Sequence, residues 1–178
     1  MLKPFRLQKK YTDKELASLK FLSKVSLFNS LTYKEMEAFL PFLYSRDYIE
    51  NEAIFFRNDP SNGLYIVKEG EVSLSYEIGG ELEEVQTVSS HKAFGDNALL
   101  GKAKRIYNAV VKSKGGAVVI VIPKVNILRV FEKHPKIEAK MMKSLCSEYN
   151  DYTYKLFDAY KKTYGFFNLK EVYQGSEK

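Results

Sequence analysis

The run Phe94-Gly95-Asp96-Asn97-Ala98-Leu99-Leu100, followed closely by Lys104-Arg105-Ile106-Tyr107-Asn108-Ala109, is the stretch on which the reading of this chain turns. Gly95 frees the backbone to wrap around a bound group, because glycine enters left-handed conformations without steric cost. An acid, Asp96, sits beside it, and a lone arginine, Arg105, arrives at the start of an apolar, strand-like run. A sugar phosphate suits this set. Burying a phosphodiester charge without donors is costly. Backbone N–H groups at the start of a short helical turn make an anion site. A guanidinium adds charge-assisted hydrogen bonds to phosphate oxygens, and a carboxylate accepts from a ribose hydroxyl. The stretch points to binding of a small nucleotide and away from catalysis.

Outward from this run, the segment from about Arg46 to Pro123 alternates short β-branched and aromatic runs with turn residues. Asn51-Glu52, Asn58-Asp59-Pro60, Asn62-Gly63, Gly79-Gly80 and Gly115-Gly116 are the punctuation. Val72, Leu74 and Tyr76 alternate with Glu71, Ser73, Ser75 and Glu77, as in a half-buried strand. Gly79-Gly80 then reads as a hairpin tip, and Ala117 to Ile122 as a buried strand closed by Pro123. Short strands at this spacing predict an antiparallel sandwich or barrel of jelly-roll type.

Helices are predicted on both sides. Thr12 and Thr32 each stand three residues before a glutamate, Glu15 and Glu35, the pattern of a capping box. Leu16, Leu19, Phe21 and Leu22 follow the first, and Met36, Phe39, Leu40 and Leu43 the second, at roughly helical spacing. After Pro123 a short helix covers about Val125 to Glu132, broken at His134-Pro135. A long helix then runs from about Lys136 into the Tyr160 region. Its Met142, Leu145, Tyr149, Tyr152, Leu156 and Ala159 are spaced 3, 4, 3, 4, 3, which predicts a coiled-coil seam and a homodimer. The expected fold class is mainly β with flanking helices: a double-stranded β-helix (jelly roll, cupin-like), with an N-terminal helical segment over 1–44, a β-roll over 45–123, and C-terminal helices and tail over 124–178.

At 178 residues the chain suits one domain plus peripheral helix. The net charge of +6 permits an anionic ligand or partner, though a solvated basic surface is the simpler account of it. One cysteine, Cys146, excludes an internal disulfide; it lies in a helical pattern and is read as a packing residue. No apolar run approaches the roughly 20 residues of a membrane span, and Met1-Leu2-Lys3-Pro4-Phe5-Arg6 lacks a signal-peptide core. A cytoplasmic location is expected, with no membrane partner.

Three motifs together resemble the cyclic nucleotide-binding domain of the cyclic AMP receptor protein (FNR-like) and kinase regulatory-subunit families. Phe21-Leu22-Ser23-Lys24-Val25-Ser26-Leu27-Phe28-Asn29-Ser30-Leu31 resembles the opening helix with its Leu-Phe-x-x-Leu. Asp59-Pro60-Ser61-Asn62-Gly63-Leu64-Tyr65-Ile66-Val67-Lys68-Glu69-Gly70-Glu71-Val72 is similar to the family's central strand pair. Phe94 to Arg105 resembles its phosphate-binding cassette. The resemblance covers roughly Phe21 to Tyr160. It implies a regulatory, signal-transducing sensor that binds a cyclic nucleotide, cAMP ahead of cGMP, with no other cofactor. The implied site is Phe94, Gly95, Asp96, Asn97, Ala98, Arg105, Ile106 and Tyr107, with Tyr152 and Thr153 of the long helix meeting the base.

The chain departs from the family pattern in telling places. Asp96 stands for a glutamate, one methylene longer, and Asn97 for a leucine. Lys104 replaces a frequent proline, and Asn51 and Asn58 replace turn glycines. Ile106 and Tyr107 stand where small or hydroxyl residues are usual. Ile106 offers no side-chain donor, and Tyr107 alternates onto the face of Arg105, where it fills or rearranges the phosphate pocket. On the residues alone, Arg105 also fits as a surface arginine and Asp96 as a helix N-cap. A dimeric scaffold with a degenerate pocket is the competing reading, and a transcription regulator lacking the usual DNA-binding domain a third.

Catalysis is not expected. There is no Gly-x-Ser-x-Gly, phosphate loop or His-Glu-x-x-His. His91 and His134 are the only histidines and stand far apart, so no metal site is expected. The stretch after Tyr160 is short for a winged helix, so no direct DNA binding is expected either.

Overall fold

A computed structural model describes residues 11–101 and 103–164. The N-terminal hexapeptide and the tail from Gly165, both read above, lie outside the described residues.

Both predicted capping boxes form. The Thr12 hydroxyl accepts from the Glu15 N–H at 3.2 Å, and the Glu15 carboxylate accepts from the Thr12 N–H at 2.8 Å. Thr32 and Glu35 repeat the pair at 3.3 and 2.8 Å. These caps open helix α1 (Asp13–Leu22) and the single turn α2 (Tyr33–Met36), which continues as a 3-10 turn over Glu37–Phe42.

Eight strands follow among the described residues: β1 (Tyr44–Tyr48), β2 (Ala53–Phe55), β3 (Gly63–Glu69), β4 (Val72–Ile78), β5 (Glu81–Val88), β6 (Ala93–Phe94), β7 (Asn108–Val111) and β8 (Ala117–Pro123). They form two antiparallel four-stranded sheets, in the orders β1-β8-β3-β6 and β2-β7-β4-β5. This is a jelly-roll sandwich with flanking helices. Gly79 and Gly80 both take positive φ, 64° and 90°, as a two-residue hairpin loop requires. Asn51 and Asn58, standing for glycines, also take positive φ, at 62° and 71°. His91 does too, at φ 64°, which nothing in the sequence signalled; its ring rests on Phe21, centroids 5.0 Å apart.

The strands that read as continuous apolar runs are buried on both faces. In β3, Val67 faces the sandwich interior with Phe55, Val72, Phe94 and Val119, while Leu64 and Ile66 face the helices. In β8, Ile120 and Ile122 do the same. Strand β4 has one buried face, and its Val72 and Leu74 alternate with half-buried serines.

Helices α3 (Lys124–Lys133) and α4 (Pro135–Tyr164) close the helical layer, breaking at His134 as the sequence predicts. The buried stripe of α4 is Ile137, Met141 and Leu145. The predicted dimer seam is therefore corrected at its first two positions. Leu145 is buried in the chain's own core and Met142 packs against that core. The remaining Tyr149, Tyr152, Leu156 and Ala159 are exposed. Cys146, one position past Leu145, is turned outward and is not a packing residue. Among the described residues no helix is long and apolar enough to cross a membrane.

Helix α4 is tied to α2 by an ion pair, Lys140 Nζ to Glu35 Oε1 at 2.7 Å. The Lys140 ammonium, and after it the Thr32 backbone N–H, hold the Glu35 carboxyl down to about 2 from its ordinary 4.5. A pKa depressed on folding contributes stability above the unfolded value and loses it as pH falls through the folded one. The pair is thus expected to hold α2 on α4 fully above pH 4.5 and to let go between there and about 2. In Lys140→Met, the Glu35 carboxyl should titrate nearer its ordinary value by NMR, and the acid loss of stability in that window should shrink. An unmoved Glu35 titration would show that Lys140 is not the cause.

Candidate functional site

Strand β6 ends at Phe94, and Gly95 turns the chain into a 3-10 turn over Asp96–Leu99. Gly95 has φ 66°, and a Cβ there would lie 2.5 Å from Arg105 Nη1 and 3.2 Å from Tyr65 Cδ2. Only glycine meets both demands.

Arg105 is only 2% exposed, so the surface-arginine alternative is overturned. Its Nη1 donates to the Gly95 carbonyl at 2.8 Å and to Asn97 Oδ1 at 3.2 Å. Its Nη2 donates to the Gly63 carbonyl at 2.8 Å. The guanidinium lies 4.2 Å above the Phe55 ring and 5.2 Å from that of Tyr65. Its Nε is buried without a hydrogen-bond partner. The arginine backbone is fixed as well: its N–H donates to the Asp59 carbonyl, and its carbonyl accepts from the Asn58 N–H, both at 2.9 Å.

Asn97, where the family has a leucine, ties this turn together. Its Oδ1 also accepts from the Ser61 hydroxyl at 2.7 Å, and its Nδ2 donates to the Lys104 carbonyl at 2.6 Å. Tyr107 does come to the face of Arg105. Its ring lies 5.9 Å from Phe55, and its hydroxyl accepts from the Gly95 N–H at 3.0 Å. Burial, with Asp96 nearby, pushes the Tyr107 phenol up.

Burial likewise pushes the Asp96 carboxyl up, opposed by the Tyr149 hydroxyl, by the Asp96 and Asn97 backbone N–H groups, and by Arg105. The N-cap alternative is corrected: Gly95 is the cap and Asp96 the first residue inside the turn, where its carboxylate lies beside the Asp96 and Asn97 amides and faces a partner on another element. That partner, Tyr149 of α4, has its own phenol pushed up by burial and then by Asp96.

Phe94, Gly95, Asp96, Asn97, Ala98, Arg105 and Tyr107 therefore come together. Ile106 does not: alternation turns it outward and leaves it 63% exposed. Nor does Thr153, whose hydroxyl bonds the Tyr149 carbonyl on an exposed stretch of α4. Tyr152 is exposed but close enough to Tyr107 to influence its phenol. The helix residue that meets the cassette is Tyr149, assigned above only to the dimer seam. It stands one turn before Tyr152 and Thr153, and that spacing was the available signal. The parts missed were the Gly63 carbonyl and the Phe55 and Tyr65 rings around Arg105. Among the described residues no cluster of His, Cys, Asp and Glu could hold a metal ion.

Comparison with known proteins fits this geometry. A cGMP-dependent protein kinase of Caenorhabditis briggsae is 27% identical over 99 residues, which is 54% of this chain and 13% of the kinase. The cyclic AMP receptor protein of Thermus thermophilus is 29% identical over 85 residues, 47% of this chain and 39% of that protein. The chain thus spans well under half the length of the curated relatives it matches. The regulatory domain of Toxoplasma gondii PKA, crystallised with cAMP, superposes with a TM-score of 0.61 at 24% identity, covering 68% of this chain and 46% of that one. The family model of the cyclic nucleotide-binding domain matches residues 45–134, from the first strand through α3. With both sheets, the glycine turn and the inward arginine inside that match, the chain belongs to the cyclic nucleotide-binding domain family.

Proposed function

We propose that this chain is a non-catalytic regulatory domain of the cytoplasm that takes a cyclic nucleotide, cAMP ahead of cGMP, at the Gly95–Arg105 cassette and reports its binding through α4. Family membership supports the ligand class. The orphaned Nε of buried Arg105 supports it further, because a buried donor without an acceptor is costly and a phosphate oxygen would satisfy it. The observation that carries the helix mechanism is the meeting of Asp96 and Tyr149. A ribose hydroxyl on Asp96 must share or displace Tyr149, so ligand affinity differs between two positions of α4, as coupling requires. The exposed Tyr149, Tyr152, Leu156 and Ala159 are the face we assign to a second copy of the chain, and we assign no DNA contact to it.

The chain supplies its own probe. Cys146 is its single cysteine and lies exposed on α4. Calorimetry with cAMP and cGMP is expected to show binding, and a spin label on Cys146 to change its spectrum on saturation. No heat and no thermal shift at millimolar concentrations of either nucleotide would refute ligand binding. Binding with an unchanged label would refute the helix mechanism alone. One observation favours a ligand-free scaffold instead: both terminal nitrogens of Arg105 already have acceptors. The same titration decides between the two.

A further inference from the structure

We propose that Tyr107 is an internal competitor for the ligand, its hydroxyl standing where a phosphate oxygen would sit, and that this residue sets the domain's affinity. The inference rests on the cyclic nucleotide reading above and adds to it a residue that works against binding.

Apart from the Arg105 Nε, the donors that would receive a phosphate already meet oxygens of the chain itself. The Gly95 N–H donates to the Tyr107 hydroxyl at 3.0 Å, an ordinary length for a good N–H···O bond. The Asp96 carboxylate lies near enough to its own amide and that of Asn97 to be influenced by both. Arg105 spends Nη1 and Nη2 on Gly95, Asn97 and Gly63. Of these occupants, Tyr107 stands apart from the turn. It reaches the cassette from the other side of Arg105, two residues on, and its ring is seated in an aromatic group. Phe55 lies 5.9 Å from Tyr107, 5.4 Å from Tyr65 and 5.9 Å from Phe94. Packing fixes the ring, and the ring fixes the hydroxyl on Gly95.

The competition is unequal by design of charge. Burial keeps the phenol neutral, and a neutral hydroxyl is a weaker acceptor than a phosphate anion. Ligand can therefore win the Gly95 N–H, at the cost of breaking a bond the free protein already has. Affinity is lowered by about the net worth of one such bond, roughly fivefold. Tyr107 thereby raises the ligand concentration at which the domain responds.

Tyr107→Phe tests this, since it keeps the ring and removes only the hydroxyl. In the free protein the Gly95 amide is expected to move upfield in its NMR spectrum and to exchange faster with solvent; an amide unchanged by the substitution would overturn the proposal. In calorimetry the variant is expected to bind cAMP about fivefold more tightly than the parent. Equal or weaker binding, with unchanged melting, would overturn it while leaving the nucleotide reading intact. Binding by neither protein would overturn both. The parent gives a further measurement: saturating cAMP must displace the hydroxyl, so the labelled Tyr107 Cζ resonance has to shift, and a fixed resonance in a saturated complex counts against the competition.

Discussion

Replacing Arg105 by leucine is expected to destabilise the ligand-free protein by about 3 kcal/mol or more, an effect that an arginine waiting in an open pocket would not produce. The guanidinium is 2% exposed and donates to the Gly63 and Gly95 carbonyls. Leucine fills part of the volume above Phe55 but leaves the Gly63 carbonyl without its arginine donor and the Gly95 carbonyl with the Ala98 N–H alone, at 3.1 Å. The orphaned acceptor costs about 1–3 kcal/mol, and the charge-assisted bond lost at the other carbonyl about 1.5–3 kcal/mol. The competing effect is the recovered cost of burying a charge, which also lowers the Arg105 pKa. That recovery is partial, because the backbone carbonyls stay where the arginine held them. In a protein of this size a loss of about 3 kcal/mol moves the melting temperature down by roughly 6–12 °C. Thermal unfolding without nucleotide checks it. A variant melting within about 2 °C of the parent would mean that Arg105 is not a structural tie. Arg105→Lys should recover little, since one ammonium cannot copy a planar fork bonding the Gly63 and Gly95 carbonyls.

Gly116→Ala is expected to cost a similar amount, for a reason remote from the cassette. Gly116 has φ 79°, and an added Cβ would land on the carbonyl oxygen of Tyr48. That oxygen belongs to backbone locked in the β1–β8 ladder, where Tyr48 pairs with Ala117. It cannot swing aside as a side-chain tip could. Left-handed strain adds about 1–2 kcal/mol to the clash, so the sum is about 3 kcal/mol or more. The neighbouring Gly115 is the control. A Cβ there meets nothing within 4 Å, and Gly115→Ala should stay within about 1 kcal/mol of the parent. Urea unfolding of the two variants side by side checks the contrast, and equal stabilities would refute it.

The fold was largely legible because its signals are local. Thr12 and Thr32 cap helices through residues three positions away, and Gly79-Gly80 is a turn by its own backbone freedom. The alternation in β4 records one buried face, and the unbroken apolar run of β8 records two. The site was legible in its members and not in its wiring. Arg105 could be picked out, but its acceptors are the carbonyls of Gly63 and Gly95, and a backbone carbonyl looks the same at every residue. Tyr107 could be expected on the face of Arg105, yet its bond to one particular amide depends on how Phe55 seats the ring. In α4 two apolar stripes overlap. The spacing from Met142 to Ala159 is that of a seam, but it does not reveal that Leu145 is used by the chain's own core while Leu156 is left to solvent.

Helix α4 also has a mechanical consequence. It begins at Pro135 and extends to Tyr164, a rod of 30 residues, or roughly 45 Å at 1.5 Å per residue. Tyr149 stands near its midpoint, so the cassette touches the rod about halfway along. If the rod turns stiffly about the His134–Pro135 corner, a displacement imposed at Tyr149 is roughly doubled at the far end. A shift of one ångström at the Asp96 contact would reach Tyr160 as nearly two, delivered to the part of the helix that no other element of the described chain covers.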